Sequence, residues 1–430
     1  MHMVKRYLAW TLVAILGLSV VALAGPTVIK VWESEGYGLE AVEQTIESLV
    51  PGIDLQISQY PYNELRMKLS TTLATGDPSV APDIVMVDSI WLGEFVEGNY
   101  LADLSNVVAK EAADWFPAFR DGSQWLAGSG KYYGIWYDTD VRATMYWPDL
   151  LQKAGVNPGD LLYWNTAIPA IKKLNDALAS EGIGGFRLDM GGAYAADFFF
   201  YPLLWSEGGD ILKTVNGKLE PAFNSEAGVR ALQFLVDLVK KAGVEPQMQC
   251  FWGNDWAARK WAVYIHGNWA TSESRFPNTT AQEREKKVAV LPYPVSEPGK
   301  VPVTLSGGWI MTIPAILQQK APDRFAEASK VLQAYIRADV MAEYGSALAR
   351  IPVRAALMQE PYKSKLAKNI EFFNFYSELA SIARVRPAIP QWNQVADAVF
   401  EAMQKAIFQG VDPQKALDDA AAKVRSILGS

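Results

Sequence analysis

An α/β fold of two lobes, joined by more than one chain crossover, is what the sequence predicts. Three observations carry that expectation. Residues 28–87 alternate strand, helix, strand, helix, strand; the middle, from about 148 to 245, reads mainly helical; and strand patterns return within 288–313 before a helical tail. Strands separated by helices imply parallel pairing with helical crossovers, and the late strands imply that the chain goes back to its first lobe. With 430 residues, half of them hydrophobic and 20% charged, the chain has ample material for two such cores. That balance excludes intrinsic disorder and disulfide-stapled mini-proteins.

Val28–Trp32 is a short apolar strand, and Leu39, Val42, Ile46 and Leu49 then recur at helical spacing until Pro51-Gly52. Ile53–Ile57 alternates like a half-buried strand, Leu65, Leu69 and Leu73 mark the next helix, and Asp83–Val87 reads as a buried strand with a short helix near Trp91–Val96. Trp125–Tyr137 resembles a hairpin turned at Gly128-Ser129-Gly130. Helices are expected at Ala167–Ser180, Ala195–Ser206 and Ser225–Ala242, strands near Val288 and Gly308–Ile313, and helices from about 322 onward.

Residues 1–24 carry Lys5-Arg6, an apolar stretch from Leu8 to Leu23, and Ala22-Leu23-Ala24 as a small-x-small cleavage site, the pattern of a secretory signal peptide. Beyond residue 24 no apolar run approaches a bilayer span. A net charge of −7 repels phosphate backbones, so nucleic acid is not an expected partner. One Cys, Cys250, allows no internal disulfide. With His266 the one His beyond the signal, no multi-His metal site is expected, and no cofactor either.

Tryptophan is ordinarily rare, yet the chain has 15, with 18 Tyr and 17 Phe. Glu33 follows the first strand and Asp88 the third, so both lie at carboxyl ends of strands, where open α/β sheets bind ligands. A helix cap or a solvated loop charge is the commoner role for any single such residue. Tyr137 to Asp140, Trp205 to Gly209, His266 to Trp269 and Ser306 to Trp309 each set an aromatic ring beside polar and small residues. A sugar has an apolar C–H face and a hydroxyl rim, which flat rings, carboxylates and amides suit. The same carboxylates, with Asp138, are also compatible with a secreted glycoside hydrolase. Gly128–Lys131 ends like a P-loop but lacks its first Gly and its Ser/Thr, and no G-x-S-x-G or H-E-x-x-H occurs.

Several stretches together resemble the extracellular solute-binding proteins of bacterial sugar ABC transporters, the maltose- and trehalose-binding class. They are Lys68–Gly76, Ala81–Asp88, Gly134–Asp140, Met145-Tyr146, Leu150–Gly155, Trp261–Ala270, Ser306–Trp309 and Ala349–Arg354. The resemblance implies a Venus-flytrap fold with multiple interlobe crossovers. Its expected lobes are 25–137 plus 291–345 and 138–290 plus 346–430. It also implies an exported monomeric receptor, periplasmic or extracellular, that is not an enzyme and hands a mono- or oligosaccharide to membrane permease subunits. On that likeness, Glu33 and Asp88 accept ligand hydroxyls, Tyr137 and Asp140 sit near the first crossover, and Trp205 and Trp269 are stacking platforms. Gly308 and Trp309 contribute near the returning crossover. The basic donor is Arg350 or Arg354, a choice the likeness leaves open. The same fold also serves polyamines, glycerol phosphate and iron. Trp261 and Tyr264 are bulkier than the family pattern, which points to a small pocket.

Overall fold

The computed structural model describes residues 25–124, 129–249, 255–272 and 275–429. The expected signal segment, the Trp125–Gly128 part of the expected hairpin, and Cys250 lie outside the described residues.

The first lobe begins with the expected parallel strands. β1 (Thr27–Ser34) and β2 (Ile53–Tyr60) pair in the register Thr27↔Ile53, and β3 (Ile84–Asp88) joins β1 on its other side. The crossovers are a 3-10 turn (Leu39–Val42) running into the helix Glu43–Leu49, and the helix Tyr62–Ala74. Leu65, Leu69 and Leu73 of the latter are buried, as their i, i+4, i+8 spacing requires. Ile84 to Val87 are all buried, because a parallel strand covered by helices on both faces has no solvent side.

Beyond the described part of the expected hairpin, the chain runs into a long strand. β4 (Ile135–Tyr146) is a 12-residue strand, and Gln124↔Tyr132 is a single bridge before it. The polar run Asp138-Thr139-Asp140 lies within this strand, where its side chains find partners. Thr139 Oγ1, for example, donates to the Gly307 carbonyl at 2.6 Å. Downstream come β5 (Gly184–Arg187), the hairpin of β6 (Leu212–Val215) and β7 (Lys218–Pro221), β8 (Trp261–Gly267), β9 (Ala289–Leu291) and β10 (Ser306–Thr312). The main sheet runs β2-β1-β3-β10-β4-β8-β5, with β9 beside β4.

β4 itself carries the chain from lobe to lobe. Its residues 135–141 pair antiparallel with β10, which in turn pairs with β3 of the first lobe. Residues 142–146 pair with β8, which lies beside β5 of the second lobe. A second link is β10, which enters the first sheet at Ser306↔Val141. A third is the Arg384 segment, whose backbone N–H donates to Thr304 and whose carbonyl accepts from Ser306 N–H. Two lobes with several strand-like links can rock about a short hinge line.

Helices cover the sheet on both sides, including Pro322–Tyr335 and Ala338–Leu348 on the first lobe, and Trp164–Leu178, Glu226–Lys240, Trp392–Gln409 and Pro413–Leu428 on the second. The segment expected as one helix from Ala195 to Ser206 instead opens with a π-helical turn, Ala196–Phe200, before the helix Tyr201–Ser206. Such turns insert one residue into the hydrogen-bond ladder and often redirect a side chain at a site. Among the described residues no helix is long and apolar enough to cross a membrane.

Candidate functional site

At the carboxyl ends of β1 and β3 the first lobe presents an aromatic wall. Trp309 of β10 packs against Tyr37 (ring centroids 4.7 Å) and Trp91 (5.5 Å), and Tyr62 packs on Trp91 at 4.9 Å. Trp91 and Trp309 are buried, whereas Tyr62, at 40% exposure, and Tyr37 reach the surface of this wall. Beneath them Asp88 accepts from Tyr62 Oη (3.0 Å) and from Ile90 N–H (3.2 Å), so it caps the turn that follows β3 and braces a ring together.

Glu33 was expected to meet a ligand; its carboxylate is turned into the protein instead. It is fully buried and accepts from Leu39 N–H (3.1 Å), Gly38 N–H (3.2 Å) and Gln59 Nε2 (2.7 Å). Burial pushes its carboxyl up to about 7 in spite of these donors. Its effect is to hold the loop 34–38, which carries Tyr37. Arg350 holds the same loop from the other side. It donates to the Gly36 carbonyl at 2.5 Å and lies over the Tyr37 ring at 4.5 Å, with Asp138 at 3.6 Å. Asp138 is buried, accepts from Tyr344 Oη at 3.2 Å, and is pushed up to about 6 by burial, with Arg350 opposing.

Between Arg350 and Arg354 the structure distinguishes clearly. Arg354 donates to Asp114 (2.6 Å) and to the Ile336 carbonyl (2.6 Å) and stacks on Trp115, away from the aromatic wall. The backbone beside it is bonded in the same direction, Phe116 N–H donating to Val353 and Ala355 N–H to Asp114. Tyr137 is likewise not at the crevice. It is buried among Tyr335 and Tyr344 because the β-bulge between Trp309 and Ile310 pairs Asp138 with Trp309 and turns Tyr137 into the core. Gly308 serves the chain's own packing: a Cβ there would lie 2.3 Å from Trp136 Nε1 and 2.4 Å from the Asp138 carbonyl oxygen.

At the hinge Asp140 receives Arg142 Nη1 at 2.6 Å and Gly307 N–H at 3.1 Å. The Arg142 guanidinium lies 4.7 Å over Phe198 and 5.8 Å over Trp269, which carries the polar cluster into the second lobe. Trp269 sits in the turn Asn268–Thr271 that follows β8. Asn268 Oδ1 accepts from Val141 N–H (3.2 Å), and Thr271 Oγ1 donates to the Asn268 carbonyl (2.8 Å) and to Glu371 (3.0 Å). Glu371 in turn pairs with Arg284 at 2.8 Å, so the turn is held on both sides. Behind Trp269 lies His266, fully buried and stacked on Phe198 at 4.9 Å, its proton affinity held well below ordinary by burial and by Arg142 and Arg187. Trp205, expected as a platform, is 4% exposed, with Arg384 over its ring at 4.8 Å. Trp261 spends its bulk against Gly184 and Arg187, and Tyr264 donates to Asp189 at 2.7 Å. Their size is therefore used inside the second lobe.

Sequence reasoning missed Tyr37, Tyr62, Arg142, Asp197 and Arg386. Asp197 stands in the π-helical turn, and Arg386 Nη1 donates to it at 2.9 Å while Arg386 Nη2 lies 3.6 Å from Asp88. A lone carboxylate in Ala195-Ala-Asp-Phe-Phe-Phe200 was the available signal, since a buried charge in an apolar run needs a partner. Of the expected set, contacts bring Asp88, Asp140, Trp269 and Arg350 near the lobe junction, Asp88 through Arg386, Asp140 and Trp269 through Arg142, and Arg350 through Asp138 and Tyr37, while Trp309 is buried behind Tyr37 and Trp91. A surface cavity of about 420 Å³ lined by Lys213, Glu220, Ser225 and Arg425 shares no residue with it.

The model of the bacterial extracellular solute-binding proteins matches residues 33–339. A binding protein of Brucella abortus is 26% identical over 434 residues, covering 97% of this chain and 98% of that one. The arabinooligosaccharide-binding protein of Bacillus subtilis is 29% identical over 198 residues, 45% of this chain and 42% of that one. The GacH receptor of Streptomyces glaucescens, solved unliganded and with acarbose, superposes with a TM-score of 0.76 at 22% identity, over 94% of this chain and 99% of that one. Parallel strands at both lobes' cores, three strand-like links between them and a match over most of the chain agree: this protein belongs to the bacterial extracellular solute-binding protein family.

Proposed function

We propose that the chain is the sugar receptor of an ABC importer: it captures a mono- or oligosaccharide between its lobes, closes, and delivers the molecule unaltered to membrane permease subunits. The observation that carries this reading is the grouping of one exposed ring, Tyr62, and two half-buried ones, Tyr37 and Trp269, near carboxylates already paired with arginines where the lobes meet. Tyr37, Tyr62 and Trp269 offer flat apolar faces, while Asp88, Asp138 and Asp140 each have a cation within 3.6 Å. Rings favour the C–H face of a sugar, and carboxylates oriented by Arg accept its hydroxyl protons. The arabinooligosaccharide-binding and acarbose-binding relatives support the same ligand class.

In this reading the protein works outside the cytoplasm, exported by residues 1–24, and as a monomer. For the lobes we propose the expected division with three adjustments, the first placing residues 138–141 in the first lobe because they pair with β10 beside β3. Residues 291–304 go with the second lobe, because Trp164 N–H donates to Val295 and Val303 N–H to Ser206. Residues 346–358 go with the first, because Phe116 N–H donates to Val353 and Ala355 N–H to Asp114.

Tryptophan fluorescence titration against maltose, trehalose, arabinooligosaccharides, ribitol and spermidine tests the proposal, with chromatography of the recovered ligand. Saturation by a neutral saccharide recovered intact is the expected result. Cleavage of the saccharide at enzymatic rates would establish the glycosidase reading, and saturation by spermidine alone would establish a non-sugar receptor.

A further inference from the structure

The ion pairs around Arg386 have a geometry that the binding reading alone does not use. Arg386 lies between the Arg384 link and the second-lobe helix Trp392–Gln409. Its side chain is nine-tenths buried. One guanidinium nitrogen is within hydrogen-bond distance of Asp197, 2.9 Å, on the second lobe. The other reaches Asp88 at the end of β3 on the first lobe, at 3.6 Å, an electrostatic contact longer than a hydrogen bond. Its Nε is buried with no acceptor among the described residues. Asp88 is held independently by Tyr62 and Ile90, whereas the buried Asp197 carboxylate takes its printed hydrogen bond from Arg386, so the two form one buried unit on the second lobe. The arginine is thus firmly part of one lobe and touches the other at long range.

We propose that Arg386 is a positioning residue that couples the lobes: anchored on Asp197, it reaches across to Asp88 and biases the chain toward closure before any ligand enters. Opening breaks the longer Asp88 contact and keeps the Asp197 hydrogen bond. A ligand hydroxyl between them would donate to Asp88 and accept from the guanidinium, replacing the direct contact with a bridged one. The inference rests on the reading of the chain as a closing receptor, but its test needs no ligand.

Small-angle X-ray scattering of the ligand-free full chain, as wild type, Arg386→Gln, Arg386→Lys and Asp197→Asn, at low and high salt, reads the bias directly. Removing the bridge should shift the open-to-closed ratio by about tenfold, the size of an ordinary coupling between two sites, and enlarge the radius of gyration. High salt should leave the wild type and Arg386→Gln nearly unmoved, because a pair this buried is little screened. Arg386→Lys should recover part of the compaction, because a lysine keeps the charge without the fork. Asp197→Asn removes only the anchor, so it should open the chain too, and it serves if Arg386→Gln fails to fold. Folded variants that scatter like the wild type at both salts would overturn the proposal. Failure of every sugar to bind would instead strike the receptor reading and leave the scattering comparison intact.

Discussion

Replacing Arg350 with alanine isolates the electrostatics of the first-lobe wall. Arg350 faces the buried Asp138 at 3.6 Å, donates to the Gly36 carbonyl and covers Tyr37. Burial raises the Asp138 carboxyl to about 6 from its ordinary 3.8, with Arg350 pulling it back. In Arg350→Ala the pull disappears and burial stays, so the native carboxyl holds its proton to still higher pH. A native pKa above the unfolded one means that the native state binds more protons, so stability falls as pH rises through that window. Each unit by which the native titration rises costs ~1.4 kcal/mol at pH 8. At pH 5 the native Asp138 is protonated in both proteins, and this contribution vanishes. Loss of the Gly36 hydrogen bond and of the contact over Tyr37 adds ~1–2 kcal/mol at both pH values. Urea unfolding followed by tryptophan fluorescence at pH 5 and pH 8 gives both numbers. A destabilisation equal at the two pH values would refute the coupling of Arg350 to a buried Asp138.

Glu33 titrates under the same sign rule: its carboxyl sits near 7 instead of 4.5, so wild-type stability falls as pH rises between those values. Glu33→Gln should reduce the stability lost between pH 5 and pH 8 by ~2–3 kcal/mol, and an unchanged pH profile would contradict the burial account. Trp269→Ala should weaken saccharide binding about thirtyfold, the scale of a ~2 kcal/mol anchor residue, in titrations against whichever saccharide saturates the wild type. Equal affinity would make Trp269 a packing residue only. Arg354→Ala, by contrast, should lower unfolding free energy by ~2–4 kcal/mol, because it strands Asp114 and the Ile336 carbonyl, and leave ligand affinity as it was. A drop in affinity without a drop in stability would return Arg354 to the crevice.

The βαβ opening was legible because its signals are local: period-2 and period-3.6 apolar patterns with Gly and Pro stops between them. β4 was not, because its central residues are charged and tolerated in a strand only through partners distant in sequence. Arg142 reaches Leu305, and Asp138 meets Tyr344 and Arg350. Glu33 and Asp88 were correctly read as strand-end residues, yet adjacency in sequence does not say whether a carboxylate faces solvent or a backbone amide. Glu33 faces amides. Tyr137 was misplaced by one β-bulge, which no apolar periodicity reveals. Arg386 left a weak trace: it precedes Pro387, a position biased away from helix, so a cation in an extended stretch of a helical tail was readable. Its partners, Asp88 and Asp197, lie 298 and 189 residues upstream and only the fold brings them together.

Calorimetric titration of the purified chain with neutral mono- and oligosaccharides tests the central claim most directly. One-to-one saturating heat in the micromolar range, about −8 kcal/mol, for at least one saccharide is the expected result. A flat trace across the whole series, beside saturation by a charged solute, would contradict it.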